Sequence, residues 1–170
     1  ETTIEVTSSN WFNPLMNYKY FMVPGILVIL LTMIGTNLAS INIVREKEIG
    51  TIEQINVTPI QKHIFIIGKL IPFWIIGMLV LSIGLLIARL AYGIIPVGSF
   101  LTIYVFAALY LLAVLGLGLL ISTYAFNQQQ AMLISFFLMM IFILLGGLYT
   151  SIDSMPEWAK WITYFNPVSY

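Results

Sequence analysis

The sequence predicts an all-α polytopic membrane protein with four transmembrane helices, and three observations carry that prediction. Of its 170 residues, 60% are hydrophobic and 8% charged, against about one quarter charged in an average soluble domain. Four apolar segments, at about residues 20–44, 66–90, 99–122 and 129–149, each reach the roughly 20 residues needed to cross a hydrocarbon core about 30 Å thick. Charge is also concentrated. Residues 45–53 hold five charged side chains out of seven basic and seven acidic in all, whereas residues 91–152 hold none.

Residues 1–19 read as the end of an extracellular domain, because Ile4 and Val6 alternate with polar residues as in a strand leaving a folded unit. With no initiator Met and no closing span after Asn166-Pro167, the chain reads as the middle and late part of a longer protein, residues 20–170 being its membrane domain. No span is a signal peptide, since none opens the chain behind a basic segment. On the first span Thr32, Gly35, Thr36, Ala39 and Ser40 follow spacings of three and four, with Asn37 and Asn42 nearby. A small, weakly polar face lets helices approach closely and bond through hydroxyls. It serves either helix packing or the lining of a transport path.

After Val44 the chain leaves the membrane, and the spacing predicts a short helix over residues 46–57. Ile49, Ile52 and Ile55 form an apolar stripe, while Glu46 and Glu53 share another face with Gly50 between them. Such a helix lies along the membrane surface with isoleucines down and carboxylates up. Thr58-Pro59 ends it, because the residue before Pro is pushed out of the α region. The same pair starts the next helix, with Thr58 as N-cap and Pro59 at the first position. The plainer alternative is a solvated connector.

Lys69 and Arg89 bracket the second span, where their long side chains snorkel to the interface; the other reading of Arg89 is a substrate or ion contact. Ala107, Ala108, Gly116 and Gly118 give the third span a small-residue face for packing, and the uncharged stretch 123–130 is a short turn. Beyond the fourth span, Ser154 and Glu157 stand at capping-box spacing. Trp158, Trp161, Ile162 and Phe165 then share one face of an amphipathic helix at about residues 155–165, with Glu157 and Lys160 elsewhere. Those are the marks of an interfacial helix. Arg45, Lys47, Lys62 and Lys69, with His63, collect in the first loop, against Lys19, Arg89 and Lys160 on the other side. Basic residues favour the cytoplasmic side, so the charged island and the 123–130 turn are expected there and both ends of the chain outside.

The zero net charge argues against a nucleic-acid partner, and the absence of cysteine removes disulfides, thiolate metal sites and thiol catalysis. His63 has no His-Glu-x-x-His context, and neither a Gly-x-Ser-x-Gly elbow nor a phosphate-binding Gly-x-x-x-x-Gly-Lys-Ser/Thr loop occurs. No Asp or Glu lies inside a predicted span, which speaks against an intramembrane aspartyl protease or a carboxylate proton relay.

The stretch Val44-Arg45-Glu46-Lys47-Glu48-Ile49-Gly50-Thr51-Ile52-Glu53-Gln54-Ile55-Asn56-Val57-Thr58-Pro59-Ile60 resembles the signature loop of permease subunits of type 2 ATP-binding-cassette exporters, in the multidrug-type group. Trp11-Phe12-Asn13-Pro14 with Phe21-Met22-Val23-Pro24-Gly25 resembles that group's entry to its second span. Ile121-Ser122-Thr123 with Gln128-Gln129-Gln130-Ala131 resembles the link between its fourth and fifth spans, and Ser154-Met155-Pro156 with Asn166-Pro167 its late extracellular segment. Five blocks in the right order are more specific than any one. Members often carry a Pro and a Ser-Gly in the fifth span, where this chain reads Leu138-Met139-Met140-Ile141 and Leu145-Gly146-Gly147.

The resemblance implies a fragment holding the end of an ectodomain and spans two to five of a non-catalytic permease in a bacterial cytoplasmic membrane. It has no cofactor of its own, since ATP and magnesium are bound by a partner ATPase subunit. A second permease copy or homologous half completes the assembly. The implied coupling contacts are Arg45, Glu46, Glu48, Gly50, Thr51, Glu53, Thr58 and Pro59. Thr32, Gly35, Thr36, Asn37 and Ser40 are expected at a translocation path or helix interface. Pro156, Trp158, Trp161, Asn166 and Pro167 are expected in an outer gate helix or short re-entrant hairpin. The expected cargo is amphipathic drugs, lipids or lipid-linked glycans. The rival readings are an ion-coupled carrier or channel and a non-transporting membrane scaffold.

Overall fold

A computed structural model describes residues 19–59, 61–95, 98–148, 154–164 and 166–169. The predicted strand at Ile4 and Val6, the segment from Trp11 to Pro14, and Phe165 lie outside the described residues, as do the side chains of Ile55 and Asn56. The described chain is all α: α1 (Lys19–Ile49), α2 (Thr51–Asn56), α3 (Lys62–Tyr92), α4 (Phe100–Tyr124), α5 (Gln128–Leu145) and α6 (Glu157–Thr163), followed by a 3₁₀ turn at Pro167–Ser169. Four of these helices, α1, α3, α4 and α5, are long and apolar enough to cross a membrane. They run up and down in sequence order, so the α1–α3 and α4–α5 links meet at one end of the bundle, the island end. The α3–α4 link and α6 occupy the far end.

At 31 residues each, α1 and α3 are about 46 Å long, well beyond the hydrocarbon thickness. α1 therefore does not stop at Val44 but carries Arg45, Glu46, Lys47 and Glu48 out of the apolar layer as one more helical turn. The expected single helix over residues 46–57 is divided: Gly50 sits at φ 81° between α1 and α2. The left-handed conformation, cheap only for glycine, ends α1 and re-aims the chain. Ile49 and Ile52 consequently do not form one stripe, and Glu46 and Glu53 stand on opposite sides of the turn rather than on one face.

Thr58 and Pro59 do not open the next helix. Gln61, extended at φ −70° and ψ 132°, holds the N-cap position of α3, and its extended backbone separates Pro59 from the first helical residue. The capping-box reading of Ser154 is corrected as well: Pro156 is the N-cap of α6, at ψ 154°. Met155 precedes a proline and so is disfavoured in the α region. The fourth span ends at Leu145 instead of continuing to residue 149, because Gly146 and then Gly147 at φ 79° turn the chain.

Helices in a bilayer gain nothing from leaving water for one another, so their association depends on close packing and on hydrogen bonds between them. Both are present. A Cβ on Gly118 of α4 would lie 2.7 Å from the Ala39 Cβ and 2.8 Å from the Thr36 carbonyl oxygen of α1. One on Gly35 would meet Val114, and one on Gly77 would meet Leu111, the fully buried centre of the α1–α3–α4 contact. Across the same helices Trp74 Nε1 donates to the Ala108 carbonyl at 3.1 Å. Ser82 gives its proton to the Met78 carbonyl, so the Tyr104 hydroxyl donates to Ser82 at 2.8 Å. Arg89 is exposed in the last turn of α3, as an interfacial side chain would be.

Candidate functional site

Three consecutive charged residues at the island end each bond to a different partner helix. Glu46 Oε1 accepts from Lys69 Nζ of α3 at 2.5 Å, and both side chains are partly shielded from solvent. Lys47 Nζ donates to the carbonyl oxygens of Ser122 and Thr123 in the last turn of α4. Glu48 accepts from Gln128, the first residue of α5, at 2.9 Å from the backbone N–H and 2.5 Å from the side-chain amide.

The order of charges matches the helix ends they meet. The last carbonyls of a helix carry partial negative charge and its first N–H groups partial positive charge. Lys47 satisfies the first kind on α4, and Glu48 the second kind on α5. Asn127 completes the start of α5, its Oδ1 accepting from the Gln130 N–H at 2.7 Å, while Gln130 Oε1 accepts from the Phe126 N–H at 3.0 Å. That reciprocal arrangement closely resembles a capping box. It fixes the uncharged 123–130 turn against the charged end of α1.

Beyond these contacts Arg45 and Glu53 are exposed, as are Thr58 and Pro59 in the link to α3. Thr51 is the first residue of α2 and half-buried, and Gly50 has open space around it. The structure therefore joins Glu46 and Glu48 to the other helices and leaves Arg45 and Glu53 to face outward. Lys47, Lys69, Ser122 and Gln128 were not singled out from the sequence as coupling residues. A basic residue in the last turn before a glycine was the available signal for Lys47.

The small face of α1 lies against α4 and α5. Thr32, Gly35, Thr36 and Ser40 are buried, Ser40 Oγ bonding to Ser135 Oγ of α5 at 3.1 Å. Asn37 points elsewhere, into an open groove of about 530 Å³ between α1 and α5, where Met33, Leu38, Met132 and Phe136 surround it. At the far end Trp158 and Trp161 are exposed while Ala159 and Thr163 turn inward. Thr163 Oγ1 shares its one proton between the Ala159 carbonyl at 3.0 Å and the Leu145 carbonyl at 3.3 Å, and Asn166 Nδ2 donates to the Phe142 carbonyl at 2.8 Å. Asn166 Oδ1 accepts from the Val168 N–H. Orphan carbonyls at the end of α5 are thus satisfied by the segment that follows it; Pro156 opens α6 and Pro167 the 3₁₀ turn. Among the described residues no group of three or more His, Asp or Glu side chains is placed to hold a metal ion.

The family model for ABC-2 family transporter proteins matches residues 1–170. The chain is 38% identical over 173 residues to the probable multidrug ABC transporter permease YbhS of Escherichia coli, covering 100% of the chain and 45% of that protein. It is 36% identical over 166 residues to the probable multidrug ABC transporter permease YbhR, covering 98% and 45%, and 27% identical over 176 residues to the inner membrane transport permease YhhJ, covering 100% and 46%, both of the same organism. The chain thus spans a little under half the length of these relatives. No solved structure matches it. The family model spans the whole chain and two relatives match it at 36% identity or more, so this chain belongs to the ABC-2 family of transporter proteins.

Proposed function

We propose that this chain is a membrane-spanning part of the permease subunit of an ATP-driven exporter, and that the α1–α2 turn is the element an ATPase subunit pushes. One observation carries the reading: Glu46, Lys47 and Glu48 tie the end of α1 to α3, α4 and α5. A displacement applied at α2 is then delivered to all four spans together rather than absorbed in a loop. Exposed Arg45 and Glu53, with Gly50, Thr51, Thr58 and Pro59 shaping the turn, present charge to that partner.

In this reading the island faces the cytoplasm of a bacterial cell, since its cluster of Lys and Arg obeys the positive-inside tendency. ATP and magnesium are bound by the separate or fused ATPase, and this subunit carries out no hydrolysis. The groove at Asn37, apolar with one amide, faces a second permease copy or homologous half and receives amphipathic cargo, whether drugs, lipids or lipid-linked glycans. The α6 segment, with Trp158 and Trp161 at the membrane boundary and Asn166-Pro167 pinned to α5, closes the outer side.

The test is purification of the full-length protein from native membranes, followed by reconstitution in vesicles. Copurification of an ATPase and ATP-dependent export of an amphipathic dye are expected. An intact permease with neither would contradict the reading and favour a non-transporting scaffold.

A further inference from the structure

Away from the island, α1, α3 and α4 separate around a cavity of about 320 Å³. Pro24, Leu27 and Leu31 of α1, Leu85 of α3, and Ile103 and Phe106 of α4 are among its fourteen lining residues, of which only Tyr110 carries a polar side chain. That hydroxyl is already committed. Thr32 Oγ1 gives its proton to the Val28 carbonyl at 2.7 Å, so the contact of 2.5 Å between Tyr110 and Thr32 uses the tyrosine proton. No donor is left over for an ion or a polar headgroup.

Shape and closure narrow the occupant further. The α1 wall runs from Val23 to Leu31, about 12 Å along the helix. A volume of about 320 Å³ along that length suits an elongated apolar occupant. On the island side the space is sealed by the packed cluster of Leu31, Leu81, Ala107 and Leu111. A closed end suits a tail that stays and does not suit cargo passing through. Water has too few polar partners there, and the volume is about twice that of an engineered apolar cavity of ~150 Å³ that takes up benzene.

We propose that this cavity holds one acyl chain of a membrane lipid as a resident, structural ligand. The experiment uses the full-length permease in nanodiscs of phosphatidylcholine bearing a diazirine at the end of one acyl chain, irradiated and mapped by mass spectrometry. Adducts are expected at the cavity-lining Leu81 and Leu85, located to the residue by fragmentation. They should fall with excess palmitate, while adducts on the outward-facing Leu101 and Leu109 do not. Ala88→Phe, which adds a ring to the cavity wall, should cut the inner adducts by about tenfold, and Leu109→Phe should leave them unchanged. Adducts confined to outward-facing residues would overturn the proposal, whether the space is empty or filled by another segment of the protein. So would inner adducts that palmitate does not displace, a result that needs no variant to fold.

Discussion

Glu48 accepts one hydrogen bond from each of two groups of Gln128, the backbone N–H at 2.9 Å and the side-chain amide at 2.5 Å, so the end of α1 caps the start of α5. Its neighbour Lys47 meets the carbonyl end of α4. The two charges are therefore ordered as the two helix ends require. Exchanging them, Lys47→Glu with Glu48→Lys, keeps composition and net charge but places each against the wrong helix end. The exchange is expected to expose the 123–130 turn to limited proteolysis more than either neutralisation alone. Equal cleavage of the exchange and wild-type proteins would remove the role of charge order.

The Glu46–Lys69 pair makes a separable prediction. With side chains 19% and 32% exposed, the pair is partly screened, and a coupling on the order of 1 kcal/mol is expected in a double-mutant cycle of Glu46→Gln and Lys69→Met. The reversed pair, Glu46→Lys with Lys69→Glu, should recover most of it. Thermal unfolding in detergent measures both, and additive single effects would show that the contact does not join α1 to α3.

Gly50 tests conformation without sterics. Nothing lies within 4 Å of an added Cβ, yet φ is +81°, a region that costs an ordinary residue roughly 1–2 kcal/mol. On the proposed function, Gly50→Ala should therefore lower the coupling of ATP hydrolysis to export, while Gly50→Asn, which tolerates that region better, should lower it less. Equal effects would indicate that the left-handed turn is not what positions α2.

The glycines of α4 give a paired test of packing. Gly118→Ala places a methyl against the Thr36 backbone and Ala39, for an expected loss of about 1–3 kcal/mol. Gly116, with nothing within 4 Å, should accept alanine with a gain of roughly 0.5–1 kcal/mol from helix propensity. Melting temperatures of the purified variants should move in opposite directions.

The four spans were legible because apolar length is a local property, and the charged island stood out for the same reason. The division of that island at Gly50 was also within reach, since a lysine in the last turn followed by glycine is a helix-ending pattern. The isoleucine spacing across Gly50 pointed the other way. The partners of Glu46, Lys47 and Glu48 were not legible: successive helical residues point about 100° apart, and only the placement of α3, α4 and α5 decides what each one meets. The same holds for Thr163 and Asn166, whose α5 acceptors lie 18 and 24 residues upstream. Asn37 was grouped with the small face by proximity, but its direction sends it into the α1–α5 groove.

The central claim is that α2 receives force from an ATPase, and the absence of cysteine from this chain makes a direct measurement simple. A single cysteine replacing Glu53 in the full-length protein, otherwise free of cysteine, is to be crosslinked in assembled complexes with and without trapped nucleotide. The account predicts a crosslink to the ATPase subunit whose yield changes with nucleotide, and no labelling by impermeant thiol reagents in intact cells. Labelling from outside, or no crosslink to the ATPase in either state, would contradict it.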